Sequence, residues 1–360
     1  MPARTIGPAA LAAIVLACVA CQPAGTTGEW RSYGSDLGAT KYSSLDQIDK
    51  TNVARLEIAW RRPALDAIVT TQSPQMRPGR NFRSTPLMVG GVLYAPNGAG
   101  FVEAFDPATG ETLWVEPPFE PGPNGYGGTA TRGVGYWESG GDRRILTQHN
   151  EHLFALDAAT GRPIPSFGDQ GRVYLSAGMG GDIRYTWTGA PFVIGDVVVL
   201  GMSPLDEFAN KEATRGDVRA YDVRTGQLRW TFHVIPQAGE FGVETWENDS
   251  WQYTGHAPVW SLFSGDPKLG LVYMPITAPT NDMYGGHRLG DNLFTQSIVA
   301  VEAATGRRVW HFQTVRHDLW DYDPPAAPIL VDILVDGRPI EAVVLLTKQA
   351  YAYVLDRRTG

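Results

Sequence analysis

The chain has 360 residues, 43% hydrophobic and 19% charged, with a formal net charge of -8. That length can bury a large core in one or two domains, and the acidic balance argues against a nucleic-acid partner, whose phosphates need a basic face. With 41 Gly, 26 Pro and 11 Trp, the composition leans toward an all-β fold.

At the N-terminus Arg4 precedes an apolar run over 9–20 that closes on Cys18-Val-Ala-Cys21. Such a run is too short to span a membrane and fits a bacterial export signal. A small residue followed by cysteine resembles a lipoprotein cleavage site, so 1–21 reads as a signal segment with Cys21 as the lipidated residue. Residues 22–29 read as a linker and 30–360 as one β domain. Gln22 stands where haem attachment would need histidine, which removes the haem reading of the Cys-x-x-Cys pair. The chain's 2 cysteines both lie in this segment, so no disulfide framework is expected beyond it.

Residues 30–49 are turn-rich and lead through a short amphipathic segment to a predicted strand over 56–60. Strand-like runs follow at 92–95 and 101–105, then the turn from Asp106 to Gly110, then a strand ending in Trp114. The pattern Asp-x-x-x-Gly-x-x-x-Trp returns at Asp222, Gly226 and Trp230, and as Glu302, Gly306 and Trp310. A copy at Asp157 and Gly161 lacks the tryptophan, and a fifth begins at Asp356 and Gly360. The acid can bond its own turn, the glycine supplies positive φ, and the next strand sets its Trp against a neighbouring sheet. Repeats of this kind predict β-propeller blades. A propeller removes open edges by closing its ring, so a chain stopping inside the fifth turn is expected to be part of a longer protein.

One stretch breaks the pattern. Residues 310–325 pack Asp318, Asp321 and Asp323 among His317, Trp320 and Tyr322, closed by Pro324 and Pro325. This is poor strand and poor helix, and reads as a rigid loop on a scaffold, where chemistry is usually placed.

The loops between repeats resemble those of the pyrroloquinoline quinone (PQQ)-dependent dehydrogenases. The telling stretches are Arg132-Gly-Val-Gly-Tyr-Trp137, Gly201-Met-Ser-Pro-Leu-Asp206, Tyr284-Gly-Gly-His-Arg288, His317-Asp-Leu-Trp-Asp-Tyr322, and Lys348 before Val354-Leu-Asp-Arg357. The branch they resemble most is the membrane-type quinoprotein glucose dehydrogenases. The resemblance implies an eight-bladed propeller with tryptophan docking motifs, truncated here after about five repeats. It implies Asp321 as catalytic base, Lys348 as the cation at the quinone oxygens, and Arg132 as partner of a PQQ carboxylate. It further implies Trp260 as the floor under the cofactor, Ser203 in the cofactor shell, and Asp206, Thr280, Asn281 and Asp321 as Ca²⁺ ligands. Asp318 and Asp323 match no such position and are expected to be neutral to activity.

These residue types suit the chemistry on their own terms. A flat tricarboxylate needs an aromatic face and cationic anchors, and Ca²⁺ takes oxygen ligands. The implied activity is oxidation of a sugar, polyol or other alcohol, with electrons passing to a membrane quinone or cytochrome from an exported, periplasmic lipoprotein. The competing reading is a non-catalytic propeller lipoprotein that scaffolds outer-membrane assembly; a sugar-binding propeller without cofactor is a third. Asp206, Asp321 and Lys348 together favour the enzyme. The chain departs from the family pattern at Gly127-Gly128-Thr129-Ala130, where relatives carry cysteines or histidine, and at Arg83-Ser84, where they often carry an acid. The resemblance implies that both lie near the cofactor and bear on specificity.

Overall fold

The computed structural model describes residues 28–79, 82–117, 131–149, 151–179, 183, 185–204 and 210–360. The short apolar runs fold into five successive antiparallel sheets, each a meander in chain order. The first holds β1 (Leu87–Val89), β2 (Val92–Pro96), β3 (Val102–Phe105) and β4 (Thr112–Val115). The second holds β5 (Gly135–Ser139), β6 (Asp142–His149), β7 (His152–Asp157) and β8 (Arg172–Tyr174). The third holds β9 (Phe192–Ile194), β10 (Val197–Leu200), β11 (Val218–Asp222) and β12 (Leu228–Phe232). The fourth holds β13 (Ser264–Asp266), β14 (Leu271–Ile276), β15 (Ser297–Glu302) and β16 (Arg308–Gln313). The fifth holds β17 (Ile329–Val335), β18 (Arg338–Leu346) and β19 (Ala352–Asp356). Five sheets thus answer to the five repeats, and the fold is all-β as expected.

The strand expected over 56–60 is not formed. Among the described residues no strand pairs with it, and a ladder needs a partner to exchange hydrogen bonds with. Its Trp60 docks nonetheless, on the turn at Gly110.

Each repeated turn is closed by its glycine N–H returning to the carbonyl of the turn acid. Asp106 Oδ1 accepts from the amides of Ala108 and Thr109, both at 2.8 Å, and Gly110 N–H returns to the Asp106 carbonyl at 2.9 Å. The amides of Thr109 and Ala108 hold the Asp106 carboxyl below its ordinary value. The turn glycine carries the indole of the preceding unit: Trp60 lies on Gly110, Trp114 on Gly161, Trp230 on Gly306 and Trp310 on Gly360. Every one of these indoles donates to the carbonyl directly after the turn acid. Trp60 reaches Pro107 at 3.0 Å, Trp114 reaches Ala158 at 3.1 Å, Trp230 reaches Ala303 at 2.9 Å and Trp310 reaches Arg357 at 3.1 Å.

Register completes the device. Trp114, Trp230 and Trp310 stand opposite Ala104, Ala220 and Ala300 on the third strand of their own sheets, and a bulge follows each pair. A buried methyl there leaves room for the indole to lean out of its own sheet, and the bulge adds local twist.

The second sheet has no such tryptophan on β8. Val173 and Phe167 sit on Gly226 instead, and the orphaned carbonyl of Val223 accepts from Arg144 Nη1 at 3.1 Å. What all five turns share is therefore a capped carbonyl, supplied by indole in four cases and guanidinium in one.

Cores form between sheets rather than within them. Leu87, Tyr94 and Val102 meet Ile145, Phe154 and Leu156 across the first seam, and Leu271, Tyr273 and Trp310 meet Leu330, Val343 and Leu345 across the last. The first strands β5 and β9 touch, as do β13 and β17. The segment from Trp30 to Gly38 bonds to Met88, Gly265 and Leu330, so it ties together the first strands of three sheets.

The glycine seat gives a direct test. Gly306 has φ 71, and a Cβ there would lie 2.6 Å from the Trp230 ring; Gly91 has φ 77 with nothing within 4 Å. Gly91→Ala is expected to cost about 1–2 kcal/mol, from left-handed backbone alone. Gly306→Ala is expected to cost about 1–3 kcal/mol beyond that, from overpacking. Denaturant midpoints of the two variants in the intact protein check the difference; equal losses would mean the indole does not bear on the turn.

Candidate active site

Meander topology sorts the loops into two rims. Connections entering a first strand or linking second to third strands share one rim, and the Asp-x-x-x-Gly turns, linking third to fourth, occupy the other. Arg132 precedes β5, Trp260 precedes β13, and Asp321 and Asp323 precede β17. Ser203 follows β10, Thr280 and Asn281 follow β14, and Lys348 follows β18. Every described residue singled out from the sequence therefore lies on the same rim. Asp206 falls at 205–209, outside the described residues, as does Cys21 in the N-terminal segment.

The centre is an ion-paired cluster. Lys348 Nζ lies 2.6 Å from Asp321 Oδ2 and 3.4 Å from Asp323 Oδ2. The strand end places it there: β18 stops at Leu346, and Lys348 N–H bonds the Asp323 carbonyl at 3.1 Å, turning the side chain toward the acids. Partial burial pulls the Lys348 ammonium down, but hydrogen bonding to Asp321 and the charges of Asp323 and Asp321 outweigh it, so its pKa is raised.

Asp323, expected to be neutral to activity, is part of the cluster's hydrogen-bond frame. It is not a bystander: only 9% of its side chain is exposed. It accepts from Trp260 Nε1 at 2.9 Å, Ala278 N–H at 2.9 Å and Gln296 Nε2 at 3.4 Å. Burial, then the neighbouring Asp321 charge, push its carboxyl up, against the pull of Lys348.

Asp318 is wholly buried and serves the loop itself. Its carboxylate accepts from Trp320 N–H and Tyr322 N–H, both at 3.2 Å, and from Gln296 Nε2 at 2.8 Å. Between those amides Asp321 takes φ 54, a left-handed conformation uncommon for a side-chain-bearing residue. The loop is thus irregular and internally braced, as expected for 310–325.

Trp260 is half-buried, its N–H fixed by Asp323 and the Arg132 guanidinium 5.4 Å from its ring centroid. Arg132 Nη1 also bonds Thr188 Oγ1 at 2.7 Å and the Trp260 carbonyl at 3.3 Å. Burial lowers the Arg132 pKa, and the nearby charge of Arg83 lowers it further. Two cations close enough to repel mark a place that suits an anion. The buried hydroxyls of Ser84 and Ser203 have no hydrogen-bond partner among the described residues. Both adjoin this region through the backbone, since Thr85 N–H bonds the Arg132 carbonyl at 2.8 Å and Ser203 N–H the Thr186 carbonyl at 2.7 Å. An anchored indole, paired cations and unspent hydroxyls fit a flat polyanion such as PQQ.

The metal reading has less in hand. Among the described residues no group of three or more His, Cys, Asp or Glu side chains is placed to hold a metal ion. Thr280 is buried and Asn281 partly so, and their loop joins the acidic one through Ala278 N–H on Asp323.

Known proteins share this architecture. Residues 30–360 match the family model described as "PQQ: Glucose/ethanol/alcohol dehydrogenase, beta-propeller domain". The chain belongs to the PQQ-dependent dehydrogenase family. The quinate/shikimate dehydrogenase (quinone) of Acinetobacter baylyi is 32% identical over 96% of this chain and 45% of that protein. The quinoprotein glucose dehydrogenase of Escherichia coli is 32% identical over 92% of this chain and 43% of that protein. The alcohol dehydrogenase (quinone) dehydrogenase subunit of Gluconobacter oxydans is 33% identical over 93% and 44% respectively. The crystal structure of quinohemoprotein alcohol dehydrogenase from Comamonas testosteroni superposes with TM-score 0.76 at 28% identity, over 92% of this chain and 48% of that one. The chain thus spans under half the length of these relatives. Glucose, alcohol and quinate enzymes are about equally similar, so the comparisons do not single out the glucose branch.

Asp323→Leu would strip the acceptor from the Trp260 indole, the Ala278 amide and Lys348. Leaving buried donors unpaired is expected to cost about 1–3 kcal/mol apiece before relaxation. Asp323→Asn, which keeps one acceptor oxygen, should lose less. Urea unfolding of both variants checks the order, and a Leu variant as stable as the parent would remove Asp323 from the frame of the site.

Proposed function

We propose that the chain supplies the catalytic rim of a quinoprotein dehydrogenase that oxidises a sugar, polyol or other alcohol, with PQQ and Ca²⁺ as cofactors. The observation that supports this most is the 2.6 Å pair of Asp321 and Lys348 beside the Trp260 indole. Asp321, 29% exposed, can meet a substrate hydroxyl and take up its proton. Lys348 presents a cation next to that acid, Trp260 offers a ring face fixed in orientation by Asp323, and Arg132 would hold a carboxylate of the ligand. PQQ, when bound, supplies the two-electron acceptor for the hydride leaving the alcohol carbon. Asp206, Thr280, Asn281 and Asp321 would hold Ca²⁺ through hard oxygen donors, where it serves as a Lewis acid. The relatives named above include enzymes of glucose, alcohols and quinate, so a glucose-like substrate is one arm of the proposal. A membrane quinone or a cytochrome is the proposed electron acceptor.

The test is reconstitution of the full-length protein with PQQ and Ca²⁺, followed by dye reduction with glucose, quinate and ethanol. Activity that needs PQQ is the expected result; no PQQ-dependent reduction with any alcohol would favour the scaffold reading instead. Asp321→Asn keeps an oxygen of similar size but removes the proton acceptor. It should bind PQQ while turnover falls by about 10²- to 10⁴-fold, the usual loss of general-base help. Normal turnover in that variant would sink the assigned base.

We also propose export and attachment to the membrane by lipid on Cys21. No described helix is long and apolar enough to cross a membrane. Cys21→Ser should move the protein from the membrane fraction to the soluble periplasmic fraction, and a variant that stays with membranes overturns the anchor.

A further inference from the structure

Arg288 is completely buried, though it lies in a loop between β14 and β15. Its guanidinium spends itself on two different loops of the rim. Nη2 donates to the Asn281 carbonyl at 3.0 Å and to the Asp318 carbonyl at 2.7 Å, while Nη1 donates to Asn292 Oδ1 at 2.8 Å. Asn292 answers by donating to the Arg288 carbonyl at 2.7 Å, which locks the fork in place. Burial brings the guanidinium down to about 10, with the charges of Asp318 and Asp282 acting the other way, so it stays charged at neutral pH.

The two carbonyls matter because of the residues that carry them. Asn281 belongs to the loop proposed to reach the metal. Asp318 is the residue whose carboxylate gathers Trp320 N–H and Tyr322 N–H, the amides on either side of Asp321. The left-handed turn that aims Asp321 is thus hung from Arg288 by one short hydrogen bond, and the 280–281 loop is hung from the same nitrogen. A planar fork with fixed donors can serve such acceptors at once; an ammonium on a flexible stem cannot hold the same plane.

We propose that Arg288 is a positioning residue that sets the distance and angle between Asp321 and the 280–281 loop. It touches no reacting atom in this role, which rests on the reading of Asp321 as the base. A merely structural arginine would steady the fourth sheet as a whole, whereas a positioning one governs two loops and leaves the sheets alone.

Arg288→Lys in the full-length protein tests this, with Arg307→Lys as the matched control, since Arg307 is exposed and pairs with Glu302 on the opposite rim. Amide hydrogen exchange without added cofactor is the first readout. Exchange should quicken by about tenfold or more over both 277–292 and 314–325, as expected for local opening, and stay unchanged over the 142–157 hairpin. Turnover of the reconstituted protein is the second. It should fall by about 10²-fold, the scale of a small misplacement of the reacting groups, with KM changed by no more than about threefold. Faster exchange in the 142–157 hairpin as well, or only one loop loosened, overturns the proposal. So does turnover matching that of Arg307→Lys. If the unsubstituted protein oxidises no alcohol, the dehydrogenase reading fails on its own, and the exchange data still decide whether Arg288 joins the two loops.

Discussion

The fold depends on a single contact made repeatedly: an aromatic side chain laid on a glycine that has no Cβ to obstruct it. Trp60, Trp114, Trp230 and Trp310 each cross from one unit to the next and land both on the glycine and on the carbonyl beside the turn acid. A large buried ring with a bonded N–H fixes orientation as well as separation, which oil-like packing does not. With the sheets held at set angles, loops from separate sheets arrive on one rim with little freedom left. That is how Arg132, Trp260, Asp323 and Lys348, drawn from three sheets, come within hydrogen-bonding or ring contact in a line.

Along that line each group constrains the next. Arg132 sits over the Trp260 ring, Trp260 donates to Asp323, and Asp323 shares Lys348 with Asp321. Two carboxylates and one ammonium share a half-buried place at one end, and at the other burial, then the neighbouring Arg83 charge, lower Arg132. Cations at either end of this line, Arg132 and Lys348, suit a ligand that carries carboxylates at one side and carbonyl oxygens at the other.

Much of this was legible beforehand, for a definable reason. Turn chemistry is local, so acid, glycine and tryptophan at fixed offsets disclose the blades without any knowledge of contacts. The loop at 310–325 could be picked out because its residues fit neither period. Lys348 could be placed at a strand end because an apolar run stopped just before it. What escaped was anything decided by direction or by partners. Asp318, Asp321 and Asp323 are indistinguishable by type, and only the left-handed backbone at Asp321 turns one of them toward solvent while its neighbours are buried. The strand expected over 56–60 has the right residues, but among the described residues no strand pairs with it. Arg83 looked like a departure from pattern and proves to be the second cation beside Arg132.

The seam between the second and third sheets differs from the rest in kind. There Val173 and Phe167 occupy the glycine, and Arg144 reaches the carbonyls of Val223 and Arg224 at 3.1 and 2.8 Å, with its own charge met by Asp142. Apolar packing is present there too, with Leu146, Leu153 and Phe167 in one buried cluster with Val198, Tyr221 and Val223, and the directional bonds of Arg144 add to it. Such a joint is fixed in orientation by its bonds as well as held together by burial. Arg132 stands on one side of this joint, Thr188 and Trp260 on the other. An anion clasped between them would therefore act as a rivet across the boundary, so that occupancy of the site and resistance of the two sheets to separation would be coupled through mass action.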